Sequence, residues 1–191
     1  MWCKRRRCEV SITIRGSSSG NRRLKVMLDE CITKKCAYAI IEFLKLHKPP
    51  VEAFFLLDFV KKQGVLDVDW SALLTPPSEW IVITGDSGAS SPRIHAKGPP
   101  LQLILPDRGI CGFYLCGKSL TQATGEERAR IIISKIPDIL NKSLRSNGGE
   151  RYRMFRSGKG ILIKPWPLEQ VPTVSTASPL PASLSPPAAS P

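Results

Sequence analysis

The sequence is short of histidine, of acidic residues and of long apolar runs, and each shortage removes a class of function. Two histidines, His47 and His95, are too few for a histidine-based metal site, and each is expected to be an ordinary side chain. No stretch approaches the roughly 18 apolar residues that a transmembrane helix needs. The N-terminal segment MWCKRRRCEV is basic, but no apolar stretch follows it. A secretory signal is therefore not expected, and the cytoplasm or nucleus of a cell is the expected location. Acids number 16 against 28 Lys plus Arg, a net charge of +12 with a pI near 9.7. An excess of that size favours an anionic partner, either nucleic acid or an acidic lipid surface. What remains is ordinary. At 191 residues with 42% hydrophobic and 23% charged content, the chain has room for one globular domain with tails.

The positive charge is unevenly placed. Residues 1–25 carry eight bases (Lys4, Arg5, Arg6, Arg7, Arg15, Arg22, Arg23 and Lys25) and one acid, Glu9. Residues 50–110 carry five bases and seven acids, and residues 128–164 carry ten bases and two acids. Solubility alone would not require clustering. The clustering points to an anion-binding face if the two ends meet in space.

The hydrophobic pattern predicts a strand at EVSITIR (9–15) and a loop at GSSSG (16–20). A helix is expected from Asn21 through Leu24, Met27, Leu28, Cys31, Tyr38, Ile41 and Leu44, stopping before Pro49 and Pro50. VEAFFLLDFVKK (51–62) reads as a second, largely buried helix closed by Gly64. WIVIT (80–84) reads as a strand, and LQLIL (101–105) with ICGFYLC (110–116) as a hairpin around PDRG. Thr124 and Glu127 form a capping box before ERARIIISKI, and YRMFR, SGKG and ILIKPW form a last hairpin. Segregated strands and helices predict an α+β fold of mostly antiparallel strands with two to four helices. The expected organisation is a basic N-terminal arm over residues 1–8, an α+β domain over 9–166 and a tail over 167–191. The tail holds seven prolines, five serines and a single charge, Glu169. It cannot bury enough apolar surface to offset its ordering entropy and is expected to be disordered.

Three motifs invite a sharper function. Gly112, Gly117, Lys118 and Ser119 satisfy the phosphate-loop pattern GxxxxGK[ST], in which backbone N–H groups cradle phosphates and the Lys reaches the terminal ones. Here the interior residues Phe113, Tyr114 and Leu115 are bulky and strand-forming, so a strand running into a turn is expected. Gly85, Asp86, Ser87 and Gly88 resemble the nucleophile segment of chymotrypsin-like proteases, with His47 and Asp58, Asp67 or Asp69 upstream. Only 39 residues separate His47 from Ser87, too few for that architecture, and a flexible turn is expected. Six cysteines form three pairs of one spacing: Cys3 and Cys8, Cys31 and Cys36, Cys111 and Cys116. Five residues apart on a helix or strand, the last two pairs point to different faces, so free thiols are expected rather than a metal site or disulfides. No cofactor is expected, and the chain reads as a non-enzyme.

The basic arm Lys4, Arg5, Arg6 and Arg7 suits non-specific phosphate contact or nuclear import. In the terminal hairpin, Arg151, Arg153, Arg156, Lys159 and Lys164 mix with Tyr152 and Phe155. Bases two apart share one strand face and can meet a phosphate row, and the aromatics can stack on unpaired bases. With Arg22, Arg23 and Lys25 these are the candidate anion-binding residues.

The KRRR arm, the segment VSITIRGSSSGNRRLKVMLDECI and the small basic body together resemble the small matrix proteins of negative-strand RNA viruses, rhabdovirus-like ones especially. The resemblance covers roughly residues 4–44. The chain departs from that family's budding motifs: no Pro-Pro pair is followed by the tyrosine of PPxY, and 172–175 reads PTVS rather than PTAP. The resemblance implies a virion structural protein that binds RNA or nucleoprotein and acidic membrane, and self-associates. Two alternatives stand beside it: an accessory or silencing-suppressor factor that binds RNA or host proteins, and a nucleotide-binding enzyme using residues 112–119.

Overall fold

Two five-residue runs, Trp80–Thr84 (WIVIT) and Cys111–Leu115 (CGFYL), are buried along their whole length. A strand that is apolar on both faces needs cover on both faces, which is the condition of a parallel sheet. The computed structural model describes residues 23–62, 64–85, 99–158 and 160–167, and in it these runs are the two central strands. The described elements are, in order, β1 (Lys25–Leu28), α1 (Lys34–Lys45), β2 (Glu52–Phe55), α2 (Leu56–Val60), α3 (Asp67–Ser71), β3 (Trp80–Thr84), α4 (Leu101–Asp107), β4 (Cys111–Leu115), α5 (Lys118–Thr121), α6 (Gly125–Arg145), β5 (Arg151–Ser157) and β6 (Gly160–Pro165). A single 3-10 turn, Pro77–Glu79, leads into β3.

The sheet has six strands in the order β2-β1-β3-β4-β5-β6. The first five run parallel, and β6 alone is antiparallel, to β5. Alternate residues of each strand feed two separate cores. Val26, Leu28, Ile81, Ile83, Phe113 and Leu115 pack under α1 and α6, against Ile40, Leu44, Ile132 and Ile136. Met27, Val82 and Tyr114 pack on the other face under α3 and α4, against Trp70, Leu101 and Leu105. This is a doubly wound α/β arrangement.

The expected α+β fold of mostly antiparallel strands with two to four helices is therefore corrected: the sheet is mostly parallel, and six helices are described. Three local readings account for the error. The helix expected from Asn21 contains β1, and only its second half is helical, as α1. VEAFFLLDFVKK opens as the edge strand β2 and turns into the short α2. LQLIL is the helix α4, not the first strand of a hairpin. Its buried Leu101, Ile104 and Leu105 recur at helical spacing. Gly109, read as part of a turn, has φ +73° and closes that helix, with its N–H donating to the Pro106 carbonyl at 2.9 Å.

Other expectations hold. The Thr124 hydroxyl accepts from the Glu127 N–H at 3.2 Å and starts the 21-residue α6. The terminal hairpin forms, with Arg153 opposite Lys164 and Phe155 opposite Leu162. The strand expected at 9–15, the arm and the tail beyond Pro167 lie outside the described residues. Among the described residues no helix is long and apolar enough to cross a membrane.

Candidate nucleic-acid interface

Strand parity divides the basic residues of the hairpin between two environments. Arg151, Arg153 and Phe155 project to the α4 side with Lys164 and Leu162, their cross-strand neighbours; Tyr152, Met154 and Arg156 project to the α6 side. On the α4 side, half-buried Phe155 has the Arg153 guanidinium 5.5 Å from its ring centroid and the Lys164 ammonium at 5.9 Å. Both distances suit a cation over an aromatic face. Lys164 and Leu162 are exposed beside it. The result is one aromatic ring next to a cross-strand pair of cations, Arg153 opposite Lys164, on an outer strand pair.

Arg151 is different. It is only 5% exposed, donates to the Gln102 carbonyl at 3.1 Å and lies 5.9 Å from the Trp166 ring. Burial lowers its pKa from the ordinary arginine value, with the phenol of Tyr114 opposing that shift. It is part of the join between β5 and α4, not of the outer surface. Its Nη2, the Arg153 Nε and the Gln102 Oε1 are buried without a hydrogen-bond partner. On the other side of the hairpin, Arg156 is held by Glu127 at 2.5 Å, at the first turn of α6. Tyr152 is a core residue: its ring stacks on Phe113 at 4.9 Å and its hydroxyl donates to the Glu150 carboxylate. Of the two aromatics that could stack on bases, Tyr152 is in the core and Phe155 is half-buried at the outer strand pair.

β5 pairs with β4 as far as Met154, opposite Leu115, so Phe155, Arg156 and Ser157 run on past the end of β4. The hairpin thus overhangs the carboxyl edge of the parallel strands. At this edge, chain connections leave β1 and β3 in opposite directions, α1 leading to β2 on one side and α4 to β4 on the other. Such a switch point opens a crevice where α/β sheets seat ligands. Asp29, just after β1, stands there at 3% exposure. Its Oδ2 accepts from the Thr84 hydroxyl at 2.6 Å, its Oδ1 accepts from the Glu30 N–H at 2.7 Å, and its own N–H donates to the Ile83 carbonyl at 3.1 Å. A Cβ on Gly85 would lie 3.3 Å from the Cys31 Cβ, so the turns after β1 and β3 pass in close contact. Arg128 ties the rim together, donating to the carbonyls of Cys31, Thr121 and Ala123. Asp29 and Thr84 did not figure among the expected site residues. The available signal was a carboxylate directly after a strand and before a helix, hidden because β1 was read as helix.

The remaining candidates disperse. Lys25 pairs with Glu79 at 3.6 Å and lies over the Trp80 ring, while Arg23 is exposed at the opposite, amino edge of the sheet. Lys4, Arg5, Arg6, Arg7, Arg22 and Lys159 lie outside the described residues, as do Asp86, Ser87, Gly88, His95, Cys3 and Cys8. In the phosphate-loop pattern, Gly112 to Leu115 are strand residues paired with β3 and β5, and the N–H groups of Gly112 and Cys116 donate to the carbonyls of Glu150 and Met154. Those amides are committed to the sheet and cannot form a phosphate nest. Lys118 opens a helix of four residues and is exposed. Cys111 and Cys116 face opposite cores, and burial pushes the Cys116 thiol up to about 11 against the pull of Arg153. Cys36 is likewise raised by burial. Asp58 accepts from the Tyr38 hydroxyl, and Asp67 from the Trp70 indole, so neither orients a histidine. Among the described residues no group of three or more His, Cys, Asp or Glu side chains is gathered to hold a metal ion.

No family model matches the chain, and neither a curated protein nor a solved structure matches it.

Proposed function

We propose that the protein binds single-stranded RNA on the α4 side of its β5–β6 hairpin. The observation that carries this reading is Phe155 beside the cross-strand pair Arg153 and Lys164. A ring of this kind stacks on an unpaired base, an interaction worth about 1–3 kcal/mol per base, and the cations beside it meet the phosphates on either side of that base. A duplex hides its base faces, so the ring favours a single strand. An acidic bilayer is the poorer partner, because Phe155 is half-buried and has little free apolar surface to insert.

Filter binding of an unstructured RNA over a range of salt concentrations tests this. Phe155→Ala should lower affinity about tenfold or more at every salt concentration. Arg153→Ala with Lys164→Ala should flatten the logarithmic salt slope by roughly 1.4, at about 0.7 per lost contact. Unchanged binding in both variants, with circular dichroism intact, overturns the proposal. So does equal binding to acidic liposomes with the same dependence on these residues.

A second reading adds chemistry, and buried Asp29 at the switch point is what favours it. Thr84 stands two strands from β5, about 10 Å by strand spacing, so a strand seated on the hairpin passes the crevice. A carboxylate there is placed to draw a divalent cation or a water toward a phosphodiester. RNA cleavage dependent on magnesium or manganese, and lost in Asp29→Asn, is the expected result. Intact binding with no cleavage under either metal removes this second reading and leaves the first standing.

A further inference from the structure

At the amino edge of the sheet, away from the hairpin overhang, lies a cavity of about 980 Å³ between the starts of β1 and β2 and the outer turn of α6. That volume is at the upper end of the range for pockets that hold a small organic molecule. Its apolar wall is made by Leu24, Ala53, Leu140 and Leu144, on the α1–α6 side of the sheet. Three prolines, Pro49, Pro50 and Pro137, also line it, so much of the remaining wall is stiff backbone. A preformed pocket of this kind loses little entropy when it is filled.

The charged groups lie around the same walls. Arg23, Lys45, His47, Lys48 and Glu52 also line the cavity. Lys45 is engaged by Glu42 at 2.6 Å, and the His47 Nδ1 lies 3.1 Å from the Pro49 carbonyl. Arg23 and Lys48 are exposed and take part in none of the ion pairs among the described residues. Two unengaged cations against the single carboxylate of Glu52 leave the cavity positive, while its wall stays apolar.

We infer that this cavity binds a single-chain amphipathic anion, its apolar chain against Leu24, Ala53, Leu140 and Leu144 and its phosphate or carboxylate head between Arg23 and Lys48. An apolar pocket alone would take any detergent, and a basic patch alone would take any anion. The combination selects a molecule with both parts. Its source can be a lipid extracted from a membrane or a free acyl or prenyl phosphate, because the recognised chemistry is the same. The inference does not depend on RNA binding, since none of these residues belongs to the β5–β6 hairpin.

Isothermal titration of the full-length protein with a lysophosphatidic acid, held below its micelle concentration, tests the inference. Saturable binding of one molecule per chain is expected. The double variant Arg23→Glu, Lys48→Glu should weaken it at least tenfold, and Leu144→Trp, which fills the cavity, should do the same while leaving the cations in place. All three positions are away from the fully buried core, so folding survives, with thermal melting as the check. Dodecyl maltoside, which has the chain without the charge, and inorganic phosphate, which has the charge without the chain, should each bind at least tenfold more weakly. Equal binding of dodecyl maltoside overturns head-group recognition, and equal binding of phosphate overturns the apolar site. A dimer on size-exclusion chromatography that closes the cavity and blocks lysophosphatidic acid also overturns the inference. Titration with the lipid monomer and with vesicles containing it separates a free ligand from a membrane-held one.

Discussion

The central strands β3 and β4 and the outer hairpin β5–β6 belong to one sheet but obey different rules. Every residue of β3 and β4 is buried, so both parities are apolar and the strands carry no exposed chemistry. In β5 and β6 burial alternates, and the chain sorts its cations by parity: Arg153 and Lys164 to the outer face beside Phe155, Arg156 to the α6 face against Glu127. The difference is one of cover. Helices lie over both faces of the middle of the sheet, whereas the described helices leave the α4 side of the hairpin partly open. A basic strand is therefore possible only where helix cover is incomplete, as at this edge of the sheet.

The sharpest way to probe this contrast is to delete one large ring from each region. Phe113→Ala in β4 removes a fully buried side chain that stacks on Tyr152, and should cost about 3–5 kcal/mol in urea unfolding. Phe155→Ala should cost markedly less in the same measurement, because that ring is only half-buried.

Two arginines two residues apart on one strand face give the next test. Arg151→Ala should destabilise by about 1–3 kcal/mol, since it removes a buried donor to the Gln102 carbonyl and the packing on Trp166. Arg153→Ala should alter stability by less, on the order of 0.5 kcal/mol, and should instead reduce the salt dependence of RNA binding. Denaturation and filter binding on the same two variants separate structural from binding arginine. The contrast fails if both variants move both measurements equally.

A smaller effect is set by pH. The Cys116 thiol is raised from 9.0 to about 11 by burial in the α4-side core. In the unfolded chain it loses its proton first, so the folded state holds more protons between these values. Its contribution is complete below pH 9 and is lost as pH rises toward 11. After allowance for partial solvent access the loss is on the order of 1 kcal/mol. Cys116→Ala should flatten this part of the stability–pH curve, read by denaturation at pH 8 and at about pH 10.5. The smallest effect is expected of Lys118→Ala. That side chain is exposed on a four-residue helix, and the amides before it are committed to the sheet. Stability should stay within about 0.5 kcal/mol and no nucleotide binding should be lost. Micromolar ATP or GTP binding that disappears in this variant would restore the phosphate-loop reading.

Much of the candidate interface was legible in the sequence because a hairpin is local. Alternation in RYRMFR and ILIKPW and the turn between them are contained in about fifteen residues, and they place Arg153, Phe155 and Lys164 near one another. The switch-point crevice was not legible. It requires β1 and β3 to be neighbours, 55 residues apart at the Asp29–Thr84 hydrogen bond. KVML and EAFF are four-residue strands inside longer apolar stretches, where the helical and strand periods cannot be told apart. The unbroken burial of WIVIT and CGFYL was the one available sign of a parallel sheet, and a hairpin reading of LQLIL and ICGFYLC concealed it.

By itself the sequence determined the basic balance of the chain, the cap that opens α6, the last hairpin and the absence of any apolar run long enough to form a spanning helix, since each depends on composition or on residues within a few positions of one another. Only the tertiary structure decided the rest: that the sheet is parallel, that Arg151 is buried while Arg153 is not, that Tyr152 is core while Phe155 is surface, and that Asp29 meets Thr84 at the carboxyl edge. The physical reason is that strand partners and helix cover are chosen by contacts between distant segments. Identical residue types on one strand acquire opposite roles according to what lies above them.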